Sequence, residues 1–320
     1  MLGNPQLRSK WLSTAFRRYA QPRRYNSAPQ YKSLETLDDA SIKTFRERYF
    51  IPERPVLLPR RSFRDLPAYE RWFRRLPMKP NVSRLNTDYL ATHGAYAHVP
   101  LELTQSKPDT SDTIGHGHDS DLSFRKFHAP LSLFLQWIAD AESQPQGLSH
   151  PMRLYLAQCQ LLDLPQVLRD DFPTPQIVAQ AGKGDIYDTN VWVGYPPTYT
   201  PLHRDPNPNL FVQLAGKKVV RLLAPRHGQG VFSLVRAQLG RSGTREAAAF
   251  RGEEMMQGQE RILLERTVWG EQEPEEPESS HAGFEAELED GDGLFIPKGW
   301  WHSIKGTGEG VTASVNWWFR

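Results

Sequence analysis

The chain has 320 residues, 38% hydrophobic, 24% charged and 11% aromatic, enough to bury one large core or two small ones and too apolar for general disorder. Its longest apolar stretch, LSLFLQWIA at 131–139, is too short for a membrane-spanning helix, so no membrane partner is expected. A single cysteine, Cys159, excludes an internal disulfide and a zinc site built on several thiolates, leaving nitrogen and oxygen as metal ligands.

The net charge of +2 conceals an asymmetry. Arg8, Lys10, Arg17, Arg18, Arg23 and Arg24 all fall within residues 1–25, and the first acid is Glu35. Removing those six from 39 basic residues leaves 33 against 37 acidic ones. The body of the chain lacks the basic excess of a nucleic-acid binder, and nucleic acid is not expected as a partner. The leader places Leu7, Trp11, Leu12, Ala15, Phe16 and Tyr19 on one helical face, which predicts a mitochondrial presequence over 1–25 and a matrix protein behind it. The segment RRYNSA at 23–28 suits cleavage after Tyr25. A basic tail or a nuclear address has the same composition, with nucleus or cytoplasm as the alternative location.

Residues 26–150 read as a helical and strand region packing on the β-rich remainder of the chain. Leu37, Ile42, Phe45 and Tyr49 recur at helical spacing, Pro52 and Pro55 end the pattern, and PVLL at 55–58 suits a strand. A second helix is predicted near Asp65-Leu66-Pro67, with Asp as the cap and Pro in the first turn. The polar stretch 104–128 predicts a loop, in which HGHD at 116–119 reads as a solvated turn rather than a metal site. Helix returns at 130–142.

From residue 151 the character is β. RLYLAQCQLL at 153–162, NVWVG at 190–194, NLFVQLAGKKVVRLL at 209–223, GLFIP at 293–297 and VTASVNWWF at 311–319 are rich in β-branched and aromatic residues between Gly and Pro. The segment 236–283, ending in EQEPEEPESS, predicts a surface excursion without a core of its own, and a lid over a cleft is the other reading. The fold class expected is mainly β with flanking helices.

The chemistry concentrates in YTPLHRDPNPNLFVQLAGKKVVRLLAP, residues 199–225. His203 and Asp205 are one residue apart, so in an extended chain both project to the same side and can bind one ion. The same pair also reads as a surface histidine and an aspartate opening a turn. His302, after the G-D-G turn and short apolar strand of GDGLFIPKGWWH, is the best third ligand. Two imidazoles and a carboxylate on one side of iron(II) leave positions for substrate and dioxygen. After the Ala215-Gly216 turn, Lys218 shares parity with Val220 and Leu222 and should point inward, where an ammonium calls for an anionic partner. Lys217 belongs with Arg221 on the solvated face. Of Trp300, Trp301, Trp317 and Trp318, most read as barrel packing, and Trp318, in step with Asn316, is expected to line a substrate cleft.

These segments resemble the Jumonji-C (JmjC) oxygenases of the cupin-like kind, most closely the small protein-hydroxylase branch that includes the asparaginyl hydroxylase acting on hypoxia-inducible factor. The similarity is strong over 190–225 and 291–319, and weaker at 153–158. It implies a double-stranded β-helix, a jelly roll of two sheets, over 151–320, with iron(II) held by His203, Asp205 and His302. The implied co-substrates are 2-oxoglutarate and dioxygen. By resemblance Lys218, Thr200 and Tyr155 would hold the distal carboxylate of 2-oxoglutarate, and Asn209 and Asn316 would flank the iron and the near end. Tyr155 as a core tyrosine and Asn316 as a satisfied strand residue remain the plain alternatives. The reaction implied is hydroxylation of a protein side chain with release of succinate and carbon dioxide. N-methyl-lysine demethylation and a catalytically silent binding protein are the alternatives. The hypoxia-factor hydroxylase dimerises through C-terminal helices, and this sequence ends at Arg320 after its last predicted strand, so no oligomeric state carries over.

Overall fold

The computed structural model describes residues 31–106, 122–144, 152–248, 255–270 and 283–320. The predicted presequence and the HGHD turn lie outside the described residues. No helix among the described residues is long and apolar enough to cross a membrane.

In chain order the strands are β1 (Tyr31–Ser33), β2 (Val56–Leu57), β3 (Phe73–Leu76), β4 (Lys79–Leu85), β5 (His98–Ser106), β6 (Leu122–Pro130), β7 (Met152–Gln160) and β8 (Ile186–Gly194). They continue with β9 (Thr198–Arg204), β10 (Asn209–Ala215), β11 (Lys217–Leu223), β12 (Gly283–Leu288), β13 (Gly293–Ile296), β14 (Trp301–Thr307) and β15 (Thr312–Phe319). The helices are α1 (Ile42–Phe45), running into a π turn at Arg46–Phe50, α2 (Pro67–Arg71), α3 (Thr87–Gly94), α4 (Leu131–Ser143), α5 (Gln166–Arg169), α6 (Gln176–Ala181), α7 (Pro225–Gln238) and α8 (Gly258–Trp269).

From β8 onward the chain passes back and forth between two facing sheets, with one step, β11 to β12, made within a sheet, and this makes the jelly roll. One sheet holds β13-β10-β15-β8 and the other β12-β11-β14-β9. The earlier residues widen this barrel: β2 and β7-β5-β6 extend the first sheet at its two edges, and β1 extends the second. A separate hairpin pairs β3 with β4. The turn from β10 to β11 needs glycine, because Gly216 adopts φ +67° and a Cβ there would lie 2.5 Å from the Val311 carbonyl oxygen.

Strand alternation divides the core. On β10, Leu210, Val212 and Leu214 face a large outer cluster with the helices, while Phe211 joins Val220, Leu222, Leu294, Ile296 and Ile304 between the sheets.

Four expectations need correction. The stretch 104–128 is not all loop: β5 runs to Ser106 and β6 starts at Leu122, and the two pair in register. Asp65 does not cap α2; Leu66 occupies that position without a side-chain bond, and Pro67 opens the helix. Segment 236–283 is more than an excursion. Its described part contains α8, whose buried Leu264 and Val268 pack with Phe232 and Val235 of α7 against Leu223 and Trp301 on the outer face of the second sheet. Each such aliphatic side chain contributes about 2 kcal/mol on burial. That cover also removes Arg221 from the solvated face, since its guanidinium lies 4.5 Å from the Tyr31 ring centre and 4.4 Å from that of Trp269. Lys217 is exposed as expected, paired with Glu289 at 2.6 Å.

Candidate metal centre

Adjacent strands of the second sheet bring the two histidines together. His203 on β9 stands opposite His302 on β14, and their ring centres are 4.1 Å apart. Asp205 follows β9 directly and closes the group: its Oδ1 lies 3.9 Å from His203 Nε2 and its Oδ2 lies 3.8 Å from His302 Nε2. One ligand atom from each residue falls within 4.8 Å of the others, and among the described residues this is the grouping able to hold a metal ion.

The surrounding bonds aim these donors. Nδ1 of His203 lies 2.8 Å from the Pro201 carbonyl oxygen, and Nδ1 of His302 lies 3.2 Å from that of Trp300. A neutral ring that donates Nδ1–H to a carbonyl keeps the lone pair on Nε2, the atom facing the cluster. Burial, reinforced by neighbouring His203, lowers His302 to about 4, which keeps it neutral. Burial alone would raise the Asp205 carboxyl. Its two imidazole neighbours and the bonds from Trp318 and Asn209 outweigh this and hold it below the usual carboxylate range. Asp205 Oδ2 accepts from Asn209 Nδ2 at 3.1 Å and Trp318 Nε1 at 2.9 Å, leaving Oδ1 for an ion. The donor set, two aimed imidazole nitrogens and a free carboxylate oxygen, fits a first-row divalent metal.

Beside the cluster opens a cavity of ≈ 530 Å³, lined among others by Tyr155, Trp192, Thr200, His203, Asp205 and Trp318. Of the residues singled out in the sequence, Tyr155, Thr200 and Trp318 therefore share a wall with two members of the triad. Burial pushes the Tyr155 hydroxyl well above its ordinary value, so it stays a donor. Asn209 and Asn316 lie behind Asp205, where Asn316 Nδ2 donates to Asn209 Oδ1 at 2.9 Å. Lys218 points inward as parity predicts and is 2% exposed. Its ammonium donates to Ser314 Oγ at 2.7 Å, and no carboxylate among the described residues pairs with it. Burial pushes it down to about 7. The other tryptophans are structural: Trp317 is in the outer core, Trp301 packs on Phe232, and Trp300 bonds the Glu53 carbonyl.

The sequence reading missed Trp192, Ser314 and Met255. Strand parity could have found the first two, because Trp192 lies in NVWVG and Ser314 is two residues from Asn316. Met255 lines the cavity from within the segment judged too polar to pack.

A jelly roll that gathers two histidines and an aspartate at adjoining strands defines the metal-binding cupin class. The chain belongs to the cupin-like domain family, which matches it over residues 42–320, and to its JmjC branch. It is 26% identical over 288 residues to lysine-specific demethylase JMJ30 of Arabidopsis thaliana, covering 90% of this chain and 55% of that protein. It is 25% identical to lysine-specific demethylase 8 of Danio rerio, over 90% of this chain and 58% of the relative. Jumonji C domain-containing protein 5 of Drosophila melanogaster is 24% identical, over 90% and 60%. The chain thus spans between 55% and 60% of the length of these relatives.

Proposed function

We propose that this protein is an iron(II)- and 2-oxoglutarate-dependent dioxygenase that hydroxylates a protein side chain. The observation that carries the reading is the convergence of His203, Asp205 and His302 with both Nε2 atoms and one carboxylate oxygen aimed at a common point. Iron(II) with 2-oxoglutarate and dioxygen would supply the oxidising chemistry there, with succinate and carbon dioxide released.

The protein's own part is binding, orientation and exclusion of water. The Pro201 and Trp300 carbonyls hold the two rings in the ligating tautomer. Trp318 and Asn209 fix the Asp205 carboxylate from behind. In this reading Lys218, Thr200 and Tyr155 receive the distal carboxylate of the co-substrate. An ammonium held in a dry site strengthens such a pair, because charge-assisted bonds there are the strong ones. Asn209 and Asn316 flank the near end, and Trp318 forms part of the wall against which the substrate side chain lies.

The demethylase names of the Arabidopsis and Danio relatives favour a second reading, removal of a methyl group from N-methyl-lysine. Chemically it begins in the same way, with hydroxylation of the methyl carbon and loss of formaldehyde. Succinate release with iron(II) and ascorbate tests the common core: His203→Ala and Asp205→Ala should abolish it, turnover equal to the parent's would reject the triad as the iron site, and a parent that releases no succinate would be a silent binding protein. Partners trapped with an inactive Asp205 variant can then be given to the parent protein: a +16 Da product supports hydroxylation, and formaldehyde supports demethylation. The acid-free leader supports a matrix location, which import of a fusion carrying residues 1–30 tests.

A further inference from the structure

Asn190 on β8 is fully buried, and neither its amide nitrogen nor its amide oxygen meets a hydrogen-bond partner in the protein. Register fixes where it faces. Val191 and Val193 belong to the outer cluster, so Asn190 and Trp192 face the barrel interior, where Trp192 lines the cavity beside the triad. Directly opposite Asn190 on β15 is Asn316, whose amide nitrogen bonds Asn209 and whose oxygen has no partner in the protein. Three amides on three adjoining strands thus lead away from Asp205. Bonding runs from Asp205 through Asn209 to Asn316 and stops at Asn190.

A primary amide carries two donors and an acceptor, and native interiors rarely leave all of them unmet. Trp192 Nε1, two residues along the same face, is a second buried donor without a partner in the protein. Both unmet donors, Asn190 Nδ2 and Trp192 Nε1, stand on the inward face of β8, and a ligand rich in acceptor oxygens would satisfy them.

We infer that Asn190 is a binding residue for the dicarboxylate co-substrate, donating its amide to a carboxylate oxygen at the end nearer the metal cluster. This rests on the 2-oxoglutarate reading proposed above. It also explains why a strand packed on both sides keeps an asparagine at a position where an aliphatic residue would bury at no polar cost.

The test titrates 2-oxoglutarate calorimetrically into the full chain loaded with manganese(II), without protein substrate, comparing the parent with Asn190→Leu and Asn190→Asp. Leucine should weaken binding at least about tenfold, the scale of one lost bond to a charged group, and aspartate should weaken it further by like charge. Melting of the ligand-free proteins separates binding from scaffolding. With its unmet amide removed, Asn190→Leu should melt at or above the parent temperature while binding less co-substrate. A lower melting temperature in Asn190→Leu would assign the amide a structural role and overturn the inference. So would a co-substrate affinity equal to the parent's. A parent that binds manganese(II) but not 2-oxoglutarate would sink the co-substrate reading itself, an outcome distinct from parent and variant binding alike.

Discussion

Trp318 donates its indole Nε1–H to Asp205 Oδ2 at 2.9 Å, tying β15 of one sheet to the carboxylate that follows β9, the terminal strand of the other. The bond spans the mouth of the barrel, so the orientation of the central ligand depends on closure of the jelly roll.

Trp318→Phe keeps the ring and deletes the donor. Loss of such an outer partner costs a ligating group about tenfold to a hundredfold in metal affinity. A manganese(II) titration should find the variant weakened by at least the lower figure. Parent affinity would show that Asn209 alone suffices to hold the carboxylate.

Lys218 sets a pH dependence. Its folded value, about 7, lies below the ordinary 10.5, so between the two the unfolded chain binds a proton that the ligand-free fold does not. The stability this group contributes is complete above 10.5 and is lost as pH falls through about 7. Ligand-free parent protein should therefore gain more stability between pH 7 and 9 than Lys218→Met, read as denaturant midpoints at the two values. The same variant should bind 2-oxoglutarate about tenfold to a hundredfold more weakly.

Two glycines of α7 should respond oppositely to alanine. A Cβ on Gly228 would stand 2.1 Å from Trp301 Cγ, whereas one on Gly230 would meet nothing within 4 Å. Gly228→Ala should cost about 1–3 kcal/mol through overpacking and disturb His302, the next residue after Trp301. Gly230→Ala should stabilise by up to about 1 kcal/mol through helix propensity. Thermal melts of both, with metal titration of the first, check the pair. A Gly228→Ala protein as stable as the parent would mean that α7 shifts freely on the sheet.

Asp171 is a buried hub, accepting from Arg71 at 2.7 Å, Trp72 at 2.8 Å and Tyr89 at 2.9 Å. Asp171→Ala leaves the Trp72 and Tyr89 donors unmet and should destabilise the fold by about 1–3 kcal/mol for each buried donor stranded. Urea unfolding measures it. A loss under about 1 kcal/mol would mean that solvent reaches the hub through the half-exposed Arg71.

The sequence made the triad legible because period-two geometry places His203 and Asp205 together, and because His302 follows a short apolar strand closed by Pro297. Lys218 was legible by the same parity. Arg221 was not, since its surroundings come from α8 and Trp269, distant in the chain. The helix itself was obscured by the neighbouring acidic, proline-bearing run, which dominated the composition of the window. β5 and β6 were hidden for a related reason: their facing ends, LTQS and LSFRK, carry polar residues suited to a half-solvated sheet edge and indistinguishable by composition from loop. Asn190 was passed over because a lone amide in a strand signals nothing until its register against Asn316 is known.

β9 is the terminal strand of its sheet, paired among the described residues with β14, and the rung that joins them carries both imidazoles. An ion gripped by that rung would rivet a strand whose backbone, among the described residues, is paired along one flank. Iron supply would then govern more than turnover: starved protein would fray first at this border, baring a ribbon of amides to proteases and to neighbouring chains.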